Sequence, residues 1–434
     1  MVKRKCILVV LDGSADRQLK ELNNQTPLEY AKTPTLDKMT AEGITGMFDA
    51  LGRGLIAGSD TAHLAILGED PYEVYTGRGP IETAGAGVDI VEGDISFRCN
   101  YCTIDDKFNI LNRTAGYPQD GLDQLEKEIN EKVKLSHSLV KFLFKNSQSY
   151  RCVLHFRGIG INSNVSDMDP SYDVQIGPED NIENEQQAKS KIIWAKPLNP
   201  KDIFARNMAE LMNEFTVKSH EVLEKSEVNQ VRKEKGLPLI NGIMIRGGGG
   251  TPNLSNFKEK WGIDGACVSG IGLIKGLCRL MYMYAPDIPG ATGFIDTDYE
   301  GKADYALKLL SEGYDFILVH VEGIDEVAHD GLVKEKIKAI EDTSERLVKK
   351  LYENCPNHTI ICVLSDHTTP VEKGDHSGEP CPILIWSNDG CVRADDVGKF
   401  SEMQFHKGGL GRFLGKQIIP TLVDYMGYAK KFGA

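Results

Sequence analysis

The chain has 434 residues, of which 41% are hydrophobic and 26% are charged, and its formal net charge is −13. This composition is that of an ordinary soluble protein with a large core, and the length favours two or three domains. The acidic balance argues against nucleic acid as a partner, and no apolar run approaches the roughly 20 residues of a membrane span. We expect a cytoplasmic protein, either monomeric or homo-oligomeric, that acts on a small molecule.

The first predicted element is a strand over Cys6–Leu11, where a nearly continuous apolar run ends at Asp12. Further along, the segment Gly58–His63 precedes an apolar stretch of helical character. Ser59 would then lie at a helix N-terminus, where backbone N–H groups and the helix dipole stabilise a phosphate. Taken alone, this serine is better explained as a helix cap. His63 is as readily a core residue as a support for a site.

The middle of the chain, from about residue 110 to residue 240, is more polar and less regular. Gly177–Gln187 is acidic and rich in side-chain amides, and it is interpreted as a solvated loop. Ile203–Phe215 and Glu221–Lys235 have helical patterns. The glycine run Gly247–Gly250 predicts a break in regular structure and a hinge.

Three further strands are predicted in the C-terminal part, over Phe316–Val321, Thr359–Leu364 and Pro382–Trp386, with helical patterns at 302–312 and 334–354. Such apolar runs suit strands buried on both faces of a parallel sheet, and their alternation with helices predicts a doubly wound α/β domain. The layout predicts that a second domain of α/β or α+β type is inserted into the first. The expected bounds are 1–76 and 266–434 for the first domain and 77–265 for the insertion.

Residue types that bind metals follow the predicted strands; they are Asp12, Asp325, His329, Asp366, His367 and His376. Because ligands bind beyond the carboxyl ends of the strands in an open α/β sheet, these side chains can meet in one crevice. Imidazole together with carboxylate suits manganese, zinc or iron. With Ser59 added, the set is too large for one ion and fits two ions about 3.5–4 Å apart, which would activate Ser59 as a nucleophile.

Each of these residues also has a simpler explanation. Asp60 suits the first turn of a helix, Asp366-His367 suits a loop, and His329 suits a solvated helix. The combination is more specific than its parts, because four separate segments each provide a metal-type ligand. The remaining histidines are interpreted as surface or structural residues; they are His137, His155, His220, His320, His358 and His406.

Several long motifs resemble those of one family. They are GSDTAHLAILGEDPYEVYTGRGP, IKG at Ile274–Gly276, GATGFIDTDY, HVEGIDEVAHDG, SDHTTP and GDHSGEPCPILI. They look like the archaeal-type branch of the cofactor-independent phosphoglycerate mutases, which belong to the alkaline phosphatase superfamily. The likeness covers nearly the whole chain and is densest in residues 1–105 and 240–385. It implies an isomerase of glycolysis and gluconeogenesis that interconverts 3-phosphoglycerate and 2-phosphoglycerate.

The resemblance also implies roles for particular residues. Asp12, Ser59, Asp366 and His367 would hold one metal ion, and Asp325, His329 and His376 would hold the other. Ser59 would carry the phosphate transiently, without 2,3-bisphosphoglycerate. The metals would typically be manganese, with magnesium, cobalt or zinc as substitutes.

The residues expected to bind substrate are basic for the most part. The inserted domain would contribute Arg98, Arg246, Arg157 and Arg78, and the metal domain would contribute Lys275, His63 and Asp60. Lys275 is also assigned to catalysis. Asp169 is the candidate general base, with Asp167 behind it, although both also suit turns.

One segment departs from the family pattern. Where the family favours D-R-R-A-G-R, residues 112–117 read N-R-T-A-G-Y, so that two basic positions are lost. The alternative function is therefore a metal-dependent phosphatase or phosphonate hydrolase, which would keep Ser59 and the metal ligands but let water finish the reaction. A binding protein that has kept the fold without activity would have lost metal ligands, and the full set is present.

Overall fold

The computed structural model describes residues 2–170, 191–431 and 433, so the expected loop Gly177–Gln187 lies outside the described residues. The chain divides into two compact units. The larger contains Met1–Tyr75 and Leu254–Ala434, and the smaller contains Thr76–Asn253. Residues 254–265, which the sequence analysis assigned to the insertion, therefore group with the larger unit. The reason is a packing contact within that unit, since the rings of Phe257 and Phe316 lie 5.2 Å apart.

Twelve strands are present in the described residues. In chain order they are β1 Lys5–Leu11, β2 Ile44–Asp49, β3 Ile95–Ile104, β4 Ile110–Asn112, β5 Val140–Asn146, β6 Arg151–Gly158, β7 Gly242–Gly250, β8 Gly265–Val268, β9 Phe316–Val321, β10 Thr359–Leu364, β11 Cys381–Ser387 and β12 Gly411–Leu414. The strands β3 to β7 belong to the smaller unit, and the others belong to the larger one.

The larger unit is built on a seven-stranded sheet in the order β12-β2-β11-β10-β1-β9-β8. Strand β1 lies at its centre, parallel to both β9 and β10, and every residue of β9 and β10 is buried. This arrangement confirms the α/β fold with strands buried on both faces. One expectation is wrong: β11, predicted as Pro382–Trp386, runs antiparallel to β10 and β2. No helix separates β10 from β11, and a parallel connection would need a crossover of that kind.

Helices fill the connections. Those of the larger unit are Pro27–Tyr30, Pro34–Glu42, Ser59–Ile66, Pro71–Val74, Phe257–Trp261, Gly272–Leu280, Tyr299–Ser311, Gly323–His329, Val333–Asp342, Lys349–Asn354, Glu402–Phe405 and Ile418–Tyr425, with short 3₁₀ turns at Lys20–Leu22 and Gly415–Gln417. Those of the smaller unit are Arg78–Gly85, Leu122–Lys132, Ile203–Glu224 and Glu227–Glu234. None of the described helices combines the length and the apolar character needed to cross a membrane.

The predicted helix at 334–354 is continuous in space but not uniform. A π-helical segment, Thr343–Val348, joins the two α-helical parts. In the smaller unit the predicted helix Glu221–Lys235 begins too early. The preceding helix runs on to Glu224, and the next one starts only after Ser226, whose hydroxyl accepts a hydrogen bond from the N–H of Val228. This N-cap sets the boundary, and residue spacing alone does not reveal it.

The glycine run Gly247–Gly250 is not a break, because it forms the last part of β7. Its lack of side chains permits close packing. A Cβ on Gly248 would lie 2.4 Å from the ring of Phe97, and a Cβ on Gly249 would lie 2.5 Å from the carbonyl oxygen of Thr76. The glycines therefore serve contact within the smaller unit rather than a bend.

The smaller unit is built on a five-stranded sheet in which β3 pairs with β4, β6 and β7, all antiparallel. Successive side chains of a strand point to opposite faces. Phe97 and Cys99 of β3 join the core, in which Phe144 packs against Phe215 of a covering helix. Arg98 therefore lies on the other face, where it pairs in register with Arg246 of β7.

A buried ion pair anchors two loops of the larger unit. The ammonium of Lys336 lies 2.7 Å from Oδ2 of Asp16, and both side chains are fully buried. The same ammonium donates to the carbonyl oxygens of Thr369, at 2.9 Å, and Ala15, at 3.3 Å. Burial lowers the pKa of Lys336, while Asp16 opposes the shift. One lysine thus fastens the loop after β1 to the loop after β10.

We predict that Lys336→Met lowers the free energy of unfolding by about 3–5 kcal/mol, because it leaves the Asp16 carboxylate buried without its partner. The matched control is Lys350→Met, which breaks an exposed pair with Asp304 and should cost at most about 1 kcal/mol. Urea denaturation followed by circular dichroism measures both values. An equal decrease in the free energy of unfolding in the two variants would show that the buried pair stabilises the fold no more than the exposed pair does.

Candidate metal centre

The carboxyl ends of three neighbouring strands carry the candidate ligands. Asp12 directly follows β1, and Asp366 and His367 follow β10. Asp325 and His329 lie in the helix Gly323–His329, directly after β9. Because β1 pairs with both β9 and β10, these ends lie side by side. The structure thus brings together the residues that the sequence analysis placed in one crevice.

The first cluster is centred on Nε2 of His367. This atom lies 3.1 Å from Oγ of Ser59, 3.2 Å from Oδ1 of Asp12 and 3.3 Å from Oδ2 of Asp366. Oδ1 of Asp12 and Oδ2 of Asp366 are buried and receive no hydrogen bond. Such orphaned oxygens are costly to bury unless a cation satisfies them. The donor set therefore fits a divalent ion held by Asp12, Ser59, Asp366 and His367.

The second cluster contains Asp325, His329 and His376. Nε2 of His329 lies 3.2 Å from Oδ2 of Asp325 and 3.1 Å from Nε2 of His376. Nε2 of His376 lies 3.8 Å from Oδ1 of Asp325, and its ring stacks on His367 at a centroid distance of 3.7 Å. One carboxylate and two imidazoles converging on a point match the ligands of a second divalent ion.

Ser59 is the first residue of the helix Ser59–Ile66, as its position in the sequence predicted. Gly58 precedes it in an extended conformation and provides no capping side chain, so the N–H groups of Ser59 and Asp60 can face a phosphate, whereas the N–H of Thr61 donates to Oδ1 of Asp60 at 2.9 Å. Beside it, Asp60 accepts a hydrogen bond of 2.7 Å from the hydroxyl of Tyr75. Asp60 is 6% exposed, so little of it is accessible to a substrate.

His63 lies behind the site. Its side chain has no exposed surface, and its Nδ1 is 2.7 Å from the carbonyl oxygen of Ser59 and 3.5 Å from Oδ2 of Asp366. Burial lowers its pKa to about 4. These contacts argue against the direct substrate contact expected for His63 and favour support of Ser59 and Asp366.

Sequence reasoning missed His320. The side chain of this residue is fully buried in β9, and its Nε2 lies 2.9 Å from Oδ2 of Asp12. With Asp12 and Glu322 it forms a third group of metal-type ligands within the described residues. The other two groups both contain His367, which lies with Asp12 and Asp366 in one and with Asp325 and His376 in the other. The available signal was the residue type, since a histidine inside an apolar strand that leads to the site must satisfy its ring nitrogens nearby.

The two clusters differ in electrostatics. Burial lowers the pKa of His367 to about 4, so its ring is neutral. A hydrogen bond with Asp325 raises the pKa of His329 to about 9. Burial opposes ionisation of Asp325, but His329 and His376 outweigh it and hold the pKa of that carboxyl well below its usual range. Burial and the neighbouring carboxylates raise the pKa of Asp12.

Comparison with known proteins agrees with this geometry. The model of the metalloenzyme superfamily matches residues 4–427. The 2,3-bisphosphoglycerate-independent phosphoglycerate mutase 1 of Methanocaldococcus jannaschii is 42% identical over 437 residues, which cover 100% of both chains. The chain belongs to this mutase family. Two solved structures are also similar to it. A protein from Pyrococcus horikoshii has 34% identity, full coverage of both chains and a TM-score of 0.81. The cofactor-independent phosphoglycerate mutase from Thermoplasma acidophilum has 30% identity, coverage of 98% and 100%, and a TM-score of 0.66.

Several arginines of the smaller unit lie close together. This group, called the arginine face, consists of Arg78, Arg98, Arg113, Arg151 and Arg246. Glu82 lies 2.8 Å from Nε of Arg78 and 3.5 Å from Nε of Arg98. Burial would raise the pKa of Glu82, but Arg78, Arg98 and Arg151 outweigh it and lower that pKa to about 2. Burial lowers the pKa of Arg98 to about 10, although Glu82 opposes the shift. This face therefore concentrates positive charge.

Asp169 lies among the same group of charges. It is fully buried, with Oδ2 2.9 Å from Nη1 of Arg246 and Oδ1 in contact with Nη2 of Arg113. Asp167 accepts a hydrogen bond from the N–H of Gly247 instead. As a general base, Asp169 would have to release one of its arginines first. Arg113 is the basic residue that the altered segment at 112–117 retains.

Two of the expected substrate ligands are engaged elsewhere. Arg157 forms an ion pair with Asp94, with Nη2 and Oδ2 2.7 Å apart, and donates to the carbonyl oxygen of Asp89. Lys275 pairs with Asp287 in the larger unit. Either residue would have to exchange this partner for a substrate.

The raised pKa values in the second cluster predict that metal binding releases protons. In the metal-free protein at pH 7.5, His329 is protonated, because its pKa is about 9, and the hydrogen bond with Asp325 also raises the pKa of His376 against the effect of burial. A metal ion needs neutral imidazoles, so its affinity should rise as the pH increases from about 7 to about 9. His367, with a pKa of about 4, contributes no proton in this range.

Calorimetric titration with manganese in buffers of different ionisation enthalpy counts these protons. We expect between about one and two protons released at pH 7.5, and about one fewer in His329→Gln. His358→Gln is the matched control, because His358 is exposed and pairs with Asp389 instead. Heats that do not depend on the buffer would contradict the assignment of His329 and His376 as ligands.

Proposed function

We propose that this chain interconverts 3-phosphoglycerate and 2-phosphoglycerate through a phosphoserine at Ser59, without 2,3-bisphosphoglycerate. The observation that carries the proposal is the position of the Ser59 hydroxyl. It begins a helix and lies 3.1 Å from Nε2 of His367, beside the buried carboxylates of Asp12 and Asp366, each of which keeps one oxygen without a donor. The names of the full-length relatives point to the same reaction.

We further propose that two divalent ions, typically manganese, complete the centre. Asp12, Ser59, Asp366 and His367 would hold one, and Asp325, His329 and His376 would hold the other; magnesium, cobalt or zinc could substitute. When bound, the ions would favour the alkoxide form of Ser59 and neutralise charge on the phosphate.

The chain's own groups then carry the transfer. Oγ of Ser59 forms a bond to phosphorus while the bond from phosphorus to the glycerate oxygen breaks. The other hydroxyl of the retained glycerate takes the phosphate back, which frees Ser59. The N–H groups at the start of the helix Ser59–Ile66 stabilise the phosphate in both steps.

The smaller unit, Thr76–Asn253, is the proposed substrate-binding and transferase domain. Phosphoglycerate carries about three negative charges near neutral pH. On the arginine face, Arg78, Arg98 and Arg151 surround Glu82, and Arg113 and Arg246 surround Asp169. These five guanidinium groups are the side chains that would meet the negative charges of the substrate. Planar guanidinium forks match both phosphate and carboxylate groups.

The proposed setting is the cytoplasm, as part of glycolysis and gluconeogenesis. All ten cysteines are free thiols, which suits a reducing compartment.

The direct test is incubation with 3-phosphoglycerate and manganese, followed by phosphorus NMR. The expected product is 2-phosphoglycerate, with little free phosphate. Free phosphate as the main product would overturn the proposal in favour of a metal-dependent phosphatase. No reaction at all, with metal bound, would overturn the assignment of substrate.

We predict that Ser59→Ala lowers mutase turnover by at least about 10³-fold, since no group remains to carry the phosphate. Coupled enolase kinetics measures the loss. The matched control is Ser226→Ala, which removes a helix cap in the smaller unit, should cost about 1 kcal/mol of stability and should leave turnover unchanged. Substantial mutase activity in Ser59→Ala would mean that the phosphate never visits this residue.

We predict that Arg246→Ala separates substrate binding from phosphoryl chemistry. The loss of charge-assisted hydrogen bonds, worth about 1.5–3 kcal/mol, should reduce mutase kcat/KM by roughly 10- to 150-fold. Slow hydrolysis of p-nitrophenyl phosphate, which needs Ser59 and the metals alone, should be retained.

The control for this variant is Arg206→Ala, on an exposed position of the helix Ile203–Glu224, which covers the opposite face of the sheet. It should affect neither activity. If Arg246→Ala lost both activities together, Arg246 would support the fold rather than bind the substrate.

A further inference from the structure

Thr369 connects the two clusters of candidate metal ligands. Its side chain is fully buried two residues after His367. Oγ1 lies 3.0 Å from Nδ1 of His367, a member of the first cluster, and 2.7 Å from Oδ1 of Asp325, a member of the second. One hydroxyl therefore touches both groups at once.

The count of protons determines the direction of these two hydrogen bonds. A threonine hydroxyl has one proton to donate, and an ionised carboxylate can only accept. The 2.7 Å hydrogen bond runs from the hydroxyl of Thr369 to Oδ1 of Asp325, so the single proton of the hydroxyl is directed at this carboxylate oxygen. The hydroxyl must then accept from His367, so Nδ1 of that ring carries the hydrogen.

The same count determines the opposite side of the imidazole. A neutral ring with hydrogen on Nδ1 presents a lone pair at Nε2. That nitrogen is the atom that faces Ser59, Asp12 and Asp366. We propose that Thr369 is a positioning residue that sets the tautomer of His367 and the orientation of Asp325, and so prepares both metal sites together. The proposal rests on the two-metal function proposed above.

The surrounding backbone is built to hold Thr369 in this place. Its N–H donates to the carbonyl oxygen of Ala15, at 3.1 Å, and its carbonyl oxygen accepts from Lys336. Gly13, with φ of +58°, leaves the necessary space, because a Cβ there would lie 2.2 Å from Oδ1 of Asp325 and 2.7 Å from Oγ1 of Thr369. The loop after β1 therefore both fixes this hydroxyl and makes room for it.

The first test needs no variant at the threonine. Proton–nitrogen correlation spectra of the metal-free protein, labelled with ¹⁵N-histidine, distinguish the two tautomers, and His367→Gln assigns the ring. The expected result is hydrogen on Nδ1 of His367. Hydrogen on Nε2 would overturn the proposal, because Thr369 would then have to donate to His367 and leave Asp325 without this bond.

The second test measures metal binding in full-length variants. Thr369→Val keeps the shape and removes the hydroxyl, whereas Thr369→Ser keeps the hydroxyl. Calorimetric titration with manganese should show about 10- to 100-fold weaker binding in Thr369→Val, at both sites, and near wild-type affinity in Thr369→Ser. The control is Thr40→Val, a buried threonine on the helix Pro34–Glu42 whose hydroxyl donates to Leu36. It should change stability alone.

The outcomes separate this proposal from the proposed function. Unchanged manganese affinity in Thr369→Val would overturn the positioning role while the mutase assignment stands. Equal weakening in Thr369→Ser and Thr369→Val would also overturn it, since the hydroxyl would not be the cause. A wild-type protein that binds no divalent ion would overturn both.

Discussion

Buried negative charge at the ends of three parallel strands is the constraint on which the rest of the larger unit depends. Asp12, Asp325 and Asp366 are all at most 5% exposed. Carboxylates in such a place are costly unless opposite charges or donors surround them. Asp325 receives donors from histidines and Thr369, whereas Asp12 and Asp366 each retain an oxygen without one. The fold therefore has a local deficit of positive charge that divalent ions would relieve.

Two buried lysines near the candidate metal centre provide part of the positive charge that offsets the buried carboxylates. Lys336 pairs with Asp16 and fastens the loops that follow β1 and β10. Lys302 donates to the carbonyl oxygen of His320, and burial lowers its pKa to about 8 while Glu322 opposes the shift. Both lysines come from helices of the larger unit; Lys336 holds the two loops, whereas Lys302 holds the end of β9.

The parts of the site that sequence could predict are those set by local pattern. The bounds of β9 and β10 follow from continuous apolar runs, and the residues after those strands follow from the rule that parallel strands present their carboxyl ends together. Pairing direction is a matter of long-range contact, and for that reason the pattern of β11 did not reveal its antiparallel course. The run Gly247–Gly250 suggested a hinge because the ring of Phe97, which requires glycine beside it, is distant in sequence.

The missed residues share one property, which is that their roles depend on partners in other elements, from 44 to 321 residues away in the sequence. His320 acts on Asp12, Lys336 acts on the loop after β1, and Thr369 acts on Asp325. In the sequence they are a histidine in a strand, a lysine on a helix and a threonine in a loop, and each suits its element without any further role. The ligands were recognisable as a set of residue types, whereas the residues that orient them were recognisable only once the chain had folded.

The candidate site of the larger unit is lined by carboxylates, whereas the arginine face of the smaller unit is lined by guanidinium groups. At the candidate metal centre of the larger unit, Asp12 and Asp366 each keep one buried oxygen without a donor, whereas on the arginine face of the smaller unit Glu82 and Asp169 each lie beside more than one guanidinium group. Burial lowers the pKa of Arg98, and Glu82 opposes this shift. Arg246 forms an ion pair with Asp169. These acids therefore keep the two arginines ordered before any ligand arrives. An anion that binds there has to compete with the acids for guanidinium groups that are already oriented. Pre-orientation lowers the entropic cost of binding, while the competition keeps the affinity moderate. A substrate bound there as proposed would benefit from both effects, because it must be held during the transfer and then released.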